Sequence, residues 1–599
     1  MTNPNTLDAR MRDAEAFLQV ELRRRTALRA MLGAGVAAAI GGQAQAGTAI
    51  APQFLHGVAS GDPLPDRVII WTRVTPSVPG PVTVNWVMAH DQALTKVVAQ
   101  GSVITSDSVD YTVKVDVTGL SAARHYYYGF TAAGVASPAG RTKTLPAAGS
   151  TDPFAMAVFS CSIFEKGYFN AYADAATRPG LSAVLHIGDY NYEYGIGGYL
   201  TPALVEGLVS EPRSGILAPP GDNYTLDMYR IRKALYRTDA NLQQLHRIHP
   251  WITVWDDHES ADNAWTGGAV NHDPATEGDW QARKAAAVQA YYEWMPIREP
   301  ADGNRIDPVT GNPAHMYRSF DIGALARLVM LDTRMAGRNE QLDSTTLLGV
   351  YGAAAATGTF DADVQSDGTT PRTLLGTDQE AWFDQQITTS SQTWQIVASQ
   401  VLVRYDVAPN FLDSTLLTPI EKATIEAVID AQFGAGVGAL FGQLGQAGAP
   451  NVSANDSWNG YPGARARFYG SLAKAANPVV FSGDSHNAWV ANLAAPTPYG
   501  VLPIGVEFGG TSVTSPGYEE IFPGVSPNKL ASVTISSQQV ASPGDKLKWA
   551  ELAHRGYMLV KITQQHVHTQ FVFLDTVFST AYTTQSKTFL VTAGAKQLG

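Results

Sequence analysis

The pattern of apolar positions along this chain changes near residue 146. Before that point, short runs rich in β-branched and aromatic residues alternate with turn residues. Four such runs lie at 68–71, 82–87, 111–115 and 126–130. Their spacing predicts a β-sandwich of about 90 residues. No group of potential catalytic side chains clusters in it, so we interpret this module as structural.

After residue 146, apolar strands alternate with helical patterns. Strands are predicted at 153–160, 181–187, 251–255, 326–331, 394–403 and 478–482. A helix is predicted over 280–295, ended by Pro296, and another begins at Thr377 with Glu380 completing a capping box. The Gly/Ala-rich segments 196–225, 338–375 and 430–460 are interpreted as inserted loops. The class is therefore layered α/β or mixed α+β.

The amino terminus resembles a twin-arginine export signal. Arg24 and Arg25 precede a small apolar run, 30–42, and an A-x-A sequence at 44–46, although Ala27 stands where that motif prefers Phe. The alternative is a basic tail followed by an amphipathic helix. The sequence thus predicts a signal segment, 1–46, an N-terminal β-sandwich domain, 47–148, and a catalytic domain, 149–599. It also predicts contact with the twin-arginine machinery and a periplasmic or secreted product.

Composition narrows the classes of function. The chain has 599 residues, 16% of them charged, and a formal net charge of -12, which argues against a nucleic-acid-binding module. No stretch after the signal reaches the 18 or so apolar residues of a transmembrane helix. The single cysteine, Cys161, excludes an intramolecular disulfide and leaves packing, metal ligation or redox chemistry.

Four of the predicted strands end in potential ligands. These endings contain Cys161, His186 with Asp189, the run 256–259, and Asp484 with His486. Taken singly, each has a plain structural interpretation: a small buried thiol, a turn residue after Gly188, a chance pair. Sites in open α/β sheets form beyond the carboxyl ends of strands, where distant residues converge. The repetition therefore favours one shared site.

Several motifs together resemble the PhoD-like alkaline phosphatases of the metallophosphoesterase and purple acid phosphatase superfamily. They lie at 188–194, 249–251 leading to 255–259, 331–334, 458–461 and 483–486. The resemblance runs from about residue 54 to the end of the chain. It implies a metallophosphoesterase-type β-sandwich flanked by helices and preceded by a small immunoglobulin- or fibronectin-like domain. Asn459 departs from the family, which commonly has Asp there.

The resemblance also implies a metal centre. Iron would be held by four residues: Cys161, Asp189, Tyr192 and His486. Three anionic donors and one neutral donor suit Fe3+. With Asp189 bridging, a second site would use Asp189, Asp257 and Asp484 for one or two Ca2+ ions, with Mg2+ or Mn2+ as alternatives. Asp256 would point away from Asp257 in an extended segment, which makes it a weaker candidate.

Two further residues receive roles by resemblance. His258 would contact the phosphate and assist the leaving oxygen, and Arg334 would add bidentate phosphate binding. An equally open interpretation of Arg334 is a salt bridge to Asp332 or Glu259. In the implied mechanism, two cations activate a hydroxide for in-line attack at phosphorus, without a covalent protein nucleophile.

The leading hypothesis is therefore an exported, metal-dependent alkaline phosphatase that cleaves phosphate mono- and diesters to scavenge phosphate. One alternative uses the same metals as a phospholipase D-type phosphodiesterase on phospholipids. Another is a noncatalytic secreted binding protein on a phosphatase scaffold. A degenerate scaffold should have lost ligands, whereas all six candidate metal ligands are present in this chain.

Overall fold

Two large β-sheets enclose the main core of the protein. The computed structural model describes residues 52–195, 221–313, 316–344, 346–349 and 372–598. The core joins Val158 and Leu185 of a nine-stranded sheet to Leu328 and Ile396 of a seven-stranded sheet. Each sheet is apolar on this inner face, as layered sheets require.

The strands of the described residues are short and are numbered here in chain order. They are β1 Val58–Gly61, β2 Arg67–Arg73, β3 Val82–Ala89, β4 Val97–Thr105, β5 Thr112–Thr118, β6 His125–Ala132, β7 Val135–Ala136, β8 Gly140–Lys143, β9 Phe154–Phe159, β10 Ala183–His186, β11 Pro250–Thr253, β12 Arg318–Ile322, β13 Ala326–Met330, β14 Trp394–Ser399, β15 Pro478–Ser482, β16 Ala488–Thr497, β17 Gly500–Gly509, β18 Lys546–Glu551, β19 Arg555–Ile562, β20 His566–Leu574 and β21 Thr584–Thr592. The large sheets have the orders β21-β20-β19-β9-β10-β11-β1-β2-β5 and β12-β13-β14-β15-β17-β16-β18.

Helices cover the outer faces of both sheets. Those of the described residues span Asn170–Thr177, Leu226–Tyr236, Ala240–Ile248, Pro274–Glu277, Trp280–Trp294, Gly376–Thr388, Pro419–Phe433, Val437–Ala447, Pro462–Lys474, Tyr518–Ile521 and Pro527–Ala541. Phe383 and Phe468, from two of these helices, pack on Val397 and Val480 of the seven-stranded sheet.

The predicted catalytic strands are present within a few residues of their expected bounds, as β9, β10, β11, β13, β14 and β15. Neighbours pair in parallel in the series β9-β10-β11 and β13-β14-β15. Their carboxyl ends therefore meet at the same edge, which is where ligand sites form in such sheets.

Three local predictions were wrong. Strand β14 ends at Ser399, because the following chain turns so that Val403 and Arg404 donate their backbone N–H groups to the Glu507 carboxylate. The helix near Thr377 begins at Gly376 without the predicted capping box: Thr373 Oγ1 accepts the Gly376 N–H at 2.8 Å, and Glu380 accepts hydrogen bonds from Arg467.

The third wrong prediction is the loop at 430–460, where a helix, Val437–Ala447, occupies the Gly-rich sequence. A Cβ atom at Gly438 would lie 2.4 Å from the carbonyl oxygen of Glu426, and one at Gly445 would lie 2.4 Å from that of Pro409. Glycine is needed for this close packing, which outweighs its poor helix propensity.

The N-terminal strands form the predicted sandwich, but the sandwich is continuous with the catalytic fold. A smaller sheet containing β3, β4, β6, β7 and β8 faces β1, β2 and β5 across an apolar core. Strand β1 pairs in parallel with β11, Ser60 opposite Pro250, which extends the nine-stranded sheet into the sandwich. The two modules therefore share one hydrogen-bonded sheet.

Some sequence predictions lie outside the described residues. These are the signal segment, 1–46, and much of the inserted segments at 196–225 and 338–375. In the part of the chain that the structure describes, no single helix has both the length and the apolar character needed to span a membrane. The pair Pro419–Phe433 and Val437–Ala447 passes together, with a bend of 116°.

Candidate active site and metal centre

The strand ends converge on one cluster of potential ligands that are buried or, at Asp484 and His486, half-buried. Cys161 follows β9, Asp189 and Tyr192 follow β10, Asp257 follows β11, and Asp484 and His486 follow β15. The potential ligands form three groups, and within each group the ligand atoms lie within 4.8 Å of one another. The groups are Cys161, Asp189 and His486; Asp189, Asp257 and His258; and Asp189, Asp256, Asp257 and Asp484. Asp189 belongs to all three groups.

Several ligand candidates sit on strained backbone. The φ angles of Cys161, Asp189, Asp484 and His486 are 61°, 53°, 65° and 60°, in the left-handed region. Each such residue costs about 1–3 kcal/mol and persists where the surroundings hold it. Gly188, with φ 117°, allows the turn into Asp189, since a Cβ there would lie 2.5 Å from the Asp256 side chain.

Tyr192 and His486 adjoin Asp189 through a defined set of hydrogen bonds. The Tyr192 hydroxyl donates to Asp189 Oδ2 at 3.0 Å, accepts from Ser515 Oγ at 2.8 Å and lies 3.1 Å from His486 Nε2. His486 Nδ1 contacts the carbonyl oxygen of Pro516 at 2.8 Å. A carbonyl only accepts, so Nδ1 carries the proton and Nε2 faces the cluster as an acceptor. Burial lowers the pKa of His486 to about 3, which keeps the imidazole in the neutral form that binds metals.

The Cys161 thiol and the Asp189 carboxyl are both buried near this histidine. Burial, and then the charge of Asp189, raises the pKa of Cys161 well above its ordinary value. Among the described residues, Asp189 Oδ1 has no hydrogen-bond partner, and Asp257 Oδ1 has only the Arg334 guanidinium, 3.4 Å away. Buried carboxylate oxygens without partners are costly, and a cation would satisfy both. The donor set and these two atoms therefore fit a metal centre.

Arg334 lies on the carboxylate side of the cluster and is completely buried. Its carboxylate neighbours are Asp256, Asp456 at 2.5 Å, Asp257 at 3.4 Å and Asp484 at 3.5 Å. The salt-bridge interpretation of Arg334 is thus realised with acids other than Asp332 or Glu259, since Asp332 accepts only the backbone N–H from Arg334. Asp256 is thus within the cluster, because the chain bends after β11 and is no longer extended there.

Arg334 and Arg338, which also pairs with Asp456, leave these four carboxylates in excess. Burial raises the pKa of Asp256 to about 8 and that of Asp484 to about 7. Burial acts on Asp257 in the same direction, but Arg334 and His258 outweigh it and hold its pKa at about 2. The excess of acidic oxygens is the environment that hard divalent cations prefer.

Glu259 has a role in the site that the sequence analysis did not identify, beyond its place in the run 256–259 and as an alternative partner of Arg334. Its carboxylate accepts the backbone N–H groups of Asp189 at 3.1 Å, Tyr190 at 2.5 Å and Asp256 at 2.7 Å. It therefore ties the loop after β10 to the loop after β11. Its only signal in the sequence was its place in the 255–259 motif.

Glu193 is the second residue missed. Its side chain is buried, and Oε2 lies 2.8 Å from Nδ1 of His258. The His258 ring stacks on Tyr192 with 4.1 Å between centroids. Burial alone would lower the pKa of His258, but the charges of Asp257, Glu193 and Asp189 outweigh burial and raise it well above its usual value.

Asn459, the departure from the family pattern, has a structural place. Its amide nitrogen donates to the carbonyl oxygens of Asp406 and Asn451, at 3.1 and 3.0 Å. Its amide oxygen accepts from the backbone N–H of Asp406 and from Arg465. A carboxylate has no proton to donate to two carbonyls, so this position requires an amide.

Comparisons with known proteins agree over most of the chain. Residues 156–571 match the family description "PhoD-like phosphatase", and residues 39–146 match "PhoD-like phosphatase, N-terminal domain". The chain is 34% identical over 476 residues to alkaline phosphatase D of Bacillus subtilis (strain 168), covering 78% of this chain and 70% of that protein. It is also similar to a solved structure of PhoD, with a TM-score of 0.68, 27% identity and 92% of each chain covered.

Proposed function

This chain belongs to the PhoD-like phosphatase family and is a phosphoric ester hydrolase, and from that premise we propose that it cleaves phosphate mono- and diesters with Fe3+ and one or two Ca2+ ions. Mg2+ or Mn2+ are the alternatives at the carboxylate side. We propose further that the protein is exported by the twin-arginine pathway and serves phosphate scavenging.

The observation that carries the metal assignment is the asymmetry about Asp189. On one side lie a thiol, a phenol and an imidazole, from Cys161, Tyr192 and His486. On the other side the neighbouring donors are carboxylates, together with the His258 imidazole that we assign to the substrate. Sulfur, phenolate and imidazole donors favour a transition metal, whereas oxygen donors favour a hard divalent cation.

Such cations, when bound, supply positive charge to phosphoryl oxygens and make a water molecule more acidic. The residues of the chain supply the rest. His258 lies beside Asp189 and Asp257, where a phosphate bridging the cluster would reach its imidazole. Arg334 is engaged by carboxylates at 2.5 to 3.5 Å, so its role is to hold the acids in place and to offset their charge.

Hydrolysis of the ester needs one water molecule and one proton transfer through His258. A water oxygen forms the new bond to phosphorus while the ester P–O bond breaks in line, and its electron pair stays on the leaving oxygen. That oxygen takes a proton from His258, and the water gives up a proton that restores the imidazole. A positioned general acid of this kind contributes about 10²–10⁴-fold to the rate.

A substrate panel tests the activity and its metal dependence. Native enzyme should hydrolyse an aryl phosphate, an alkyl phosphate and a bis-aryl phosphate, lose activity on chelation and regain it with iron plus calcium. Asp189→Asn should abolish activity, whereas Asp384→Asn, at a surface carboxylate bound to Lys474 at 2.7 Å, should not. Full reactivation by zinc alone, or no hydrolysis of any ester by native enzyme, would contradict the proposal.

Export has its own test, since its support is the sequence of residues 1–46. Arg24→Lys combined with Arg25→Lys should retain the precursor in the cytoplasm. Arg10→Lys, which leaves the arginine pair intact, is the matched control and should be exported normally. Unchanged export of the double variant would remove the twin-arginine assignment.

A further inference from the structure

We propose that Glu193 is a positioning residue that fixes the hydrogen-bonding direction of His258, so that its Nε2 delivers the proton to the leaving oxygen. This inference rests on the proposed function, in which His258 assists the leaving group. Glu193 touches neither the reacting atoms nor the substrate in this assignment, and acts through the imidazole alone.

The Glu193 carboxylate is fixed at both of its oxygens. Oε2 lies 2.8 Å from His258 Nδ1, and Oε1 accepts the backbone N–H of Asp262 at 2.6 Å and the Asn271 amide at 2.8 Å. A carboxylate only accepts hydrogen bonds, so the Nδ1 contact places a proton on Nδ1. Because Oε1 has two donors of its own, the carboxylate cannot rotate without losing them.

The faces of the imidazole are also held. Tyr192 stacks on it with centroids 4.1 Å apart, and the Tyr194 ring lies 5.3 Å away at a tilt of 54°. With Nδ1 bound to Glu193, Nε2 lies on the opposite edge of the ring. The potential ligand atoms of Asp189 and Asp257 lie within 4.8 Å of His258. One ring nitrogen of His258 is the atom within this distance. Because Glu193 occupies Nδ1, we assign that nitrogen to Nε2, and the contacts on one edge and one face of the ring hold it in this direction.

Glu193→Gln separates this role from simple packing. The two donors to Oε1 select the orientation in which the glutamine amide oxygen stays at Oε1, so its NH2 group faces His258 Nδ1. An NH2 group donates, so Nδ1 must become the acceptor and the proton must move to Nε2. The neutral imidazole that carries its only proton on Nε2 still donates a hydrogen bond to phosphate. It is, however, a far weaker acid toward the leaving oxygen than the imidazolium.

The expected signature is therefore specific to the leaving group. For Glu193→Gln, kcat on an alkyl phosphate should fall about 30–300-fold, within the range of a general acid. On a dinitrophenyl phosphate, whose leaving oxygen needs no proton, kcat should change less than about threefold. KM should stay near its wild-type value for both substrates, because the contact to phosphate is kept.

A double-variant comparison tests whether Glu193 acts through His258. In a His258→Ala background, adding Glu193→Gln should lower alkyl phosphate turnover less than about twofold, since the residue through which it acts is gone. Glu277→Gln is the matched control: Glu277 lies 3.2 Å from His272 Nδ1, a second carboxylate–histidine pair outside the metal groups. It should leave both substrates unaffected.

Three results would overturn the inference while leaving the phosphatase assignment intact. The first is an equal fall in kcat on the two substrates for Glu193→Gln. The second is a double variant in which the falls in kcat caused by Glu193→Gln and His258→Ala multiply. The third is loss of bound metal from Glu193→Gln, measured by elemental analysis. Failure of the proposed function is distinct from all three, because wild-type enzyme would then hydrolyse neither ester.

Discussion

Glu259 and Asp189 are joined through backbone hydrogen bonding: the Glu259 carboxylate accepts the Asp189 N–H at 3.1 Å and, with the same oxygen, the Asp256 N–H at 2.7 Å. Asp189 is common to all three groups of potential ligands. A residue that binds no metal in our assignment therefore sets the spacing between the two loops that carry the carboxylates. Hydrogen bonds of this kind to ligand-bearing segments commonly tune metal affinity.

Glu259→Gln should weaken metal binding. The amide has one acceptor oxygen, and its NH2 group would face a backbone N–H that the carboxylate now satisfies. We expect about a 10–100-fold loss of affinity, measured by competition with a chelator and by metal content per chain. Glu380→Gln, at a helix carboxylate bound to Arg467, is the control. Full metal retention by Glu259→Gln would contradict this role.

Asp62 should anchor the N-terminal sandwich to the catalytic fold. It is buried, accepts the backbone N–H of Arg298 at 2.8 Å and pairs with the Arg318 guanidinium at 2.9 Å. Asp62→Asn should lower the free energy of unfolding by about 1.5–3 kcal/mol, because these bonds involve a charged group. Asp66→Ala, at an exposed position, should change the free energy of unfolding by less than about 0.5 kcal/mol. Urea titration of both variants measures the two effects.

The metal-free protein should become less stable as the pH rises from 6.5 to 8. Burial raises the pKa of Asp256 to about 8 and those of Asp484 and Glu259 to about 7. Unfolded carboxyl groups titrate near 4. Between pH 6.5 and 8 the folded state holds protons that the unfolded state has lost. Each group therefore lowers the free energy of unfolding by up to about 1.4 kcal/mol per pH unit, until the pH passes the pKa of that group in the folded state.

Two buried histidines explain why the predicted loss of stability begins at about pH 6.5 and not lower. Burial lowers the pKa values of His186 and His249 to about 3, so these residues favour the folded state increasingly as pH rises to about 6.5. Above that pH their contribution is constant. Thermal unfolding of chelator-treated and metal-loaded protein at pH 6.5 and 8 checks the prediction: only the metal-free Tm should fall. A metal-free Tm that rises over this interval would contradict it.

Asp484 and His486 should fail differently. Asp484→Asn removes a carboxylate donor, so activity should fall and added Ca2+ should restore part of it by mass action. His486→Ala removes an imidazole donor from the proposed iron site, so iron should be lost on purification and Ca2+ should not restore activity. His258→Ala should keep both metals and lose turnover. Equal rescue of the two loop variants by Ca2+ would refute the division between sites.

The position of the site followed from the sequence because apolar strands ending in ligand types are visible without a structure. Cys161, Asp189 and His486 were identified in that way, and the structure brings them within 4.8 Å. Glu259 was not, since its partners are backbone N–H groups, which leave no mark in the sequence.

Long-range charge pairing was also beyond the sequence. The predicted neighbours of Arg334 were close in the chain or in a known motif, whereas Asp456 is 122 residues away. Glu193 meets His258 across 65 residues, through loops whose path the hydrophobic pattern does not determine. The helix Val437–Ala447 was missed because close packing, not intrinsic propensity, forms it.

Anomalous scattering recorded on both sides of the iron absorption edge, from crystals of the native holoenzyme, tests the central claim most directly. We predict an iron peak bonded to Cys161, Asp189, Tyr192 and His486. A second cation without an iron edge should lie on Asp189, Asp257 and Asp484. Iron on the carboxylate side, or zinc alone beside Cys161 in fully active crystals, would contradict the account.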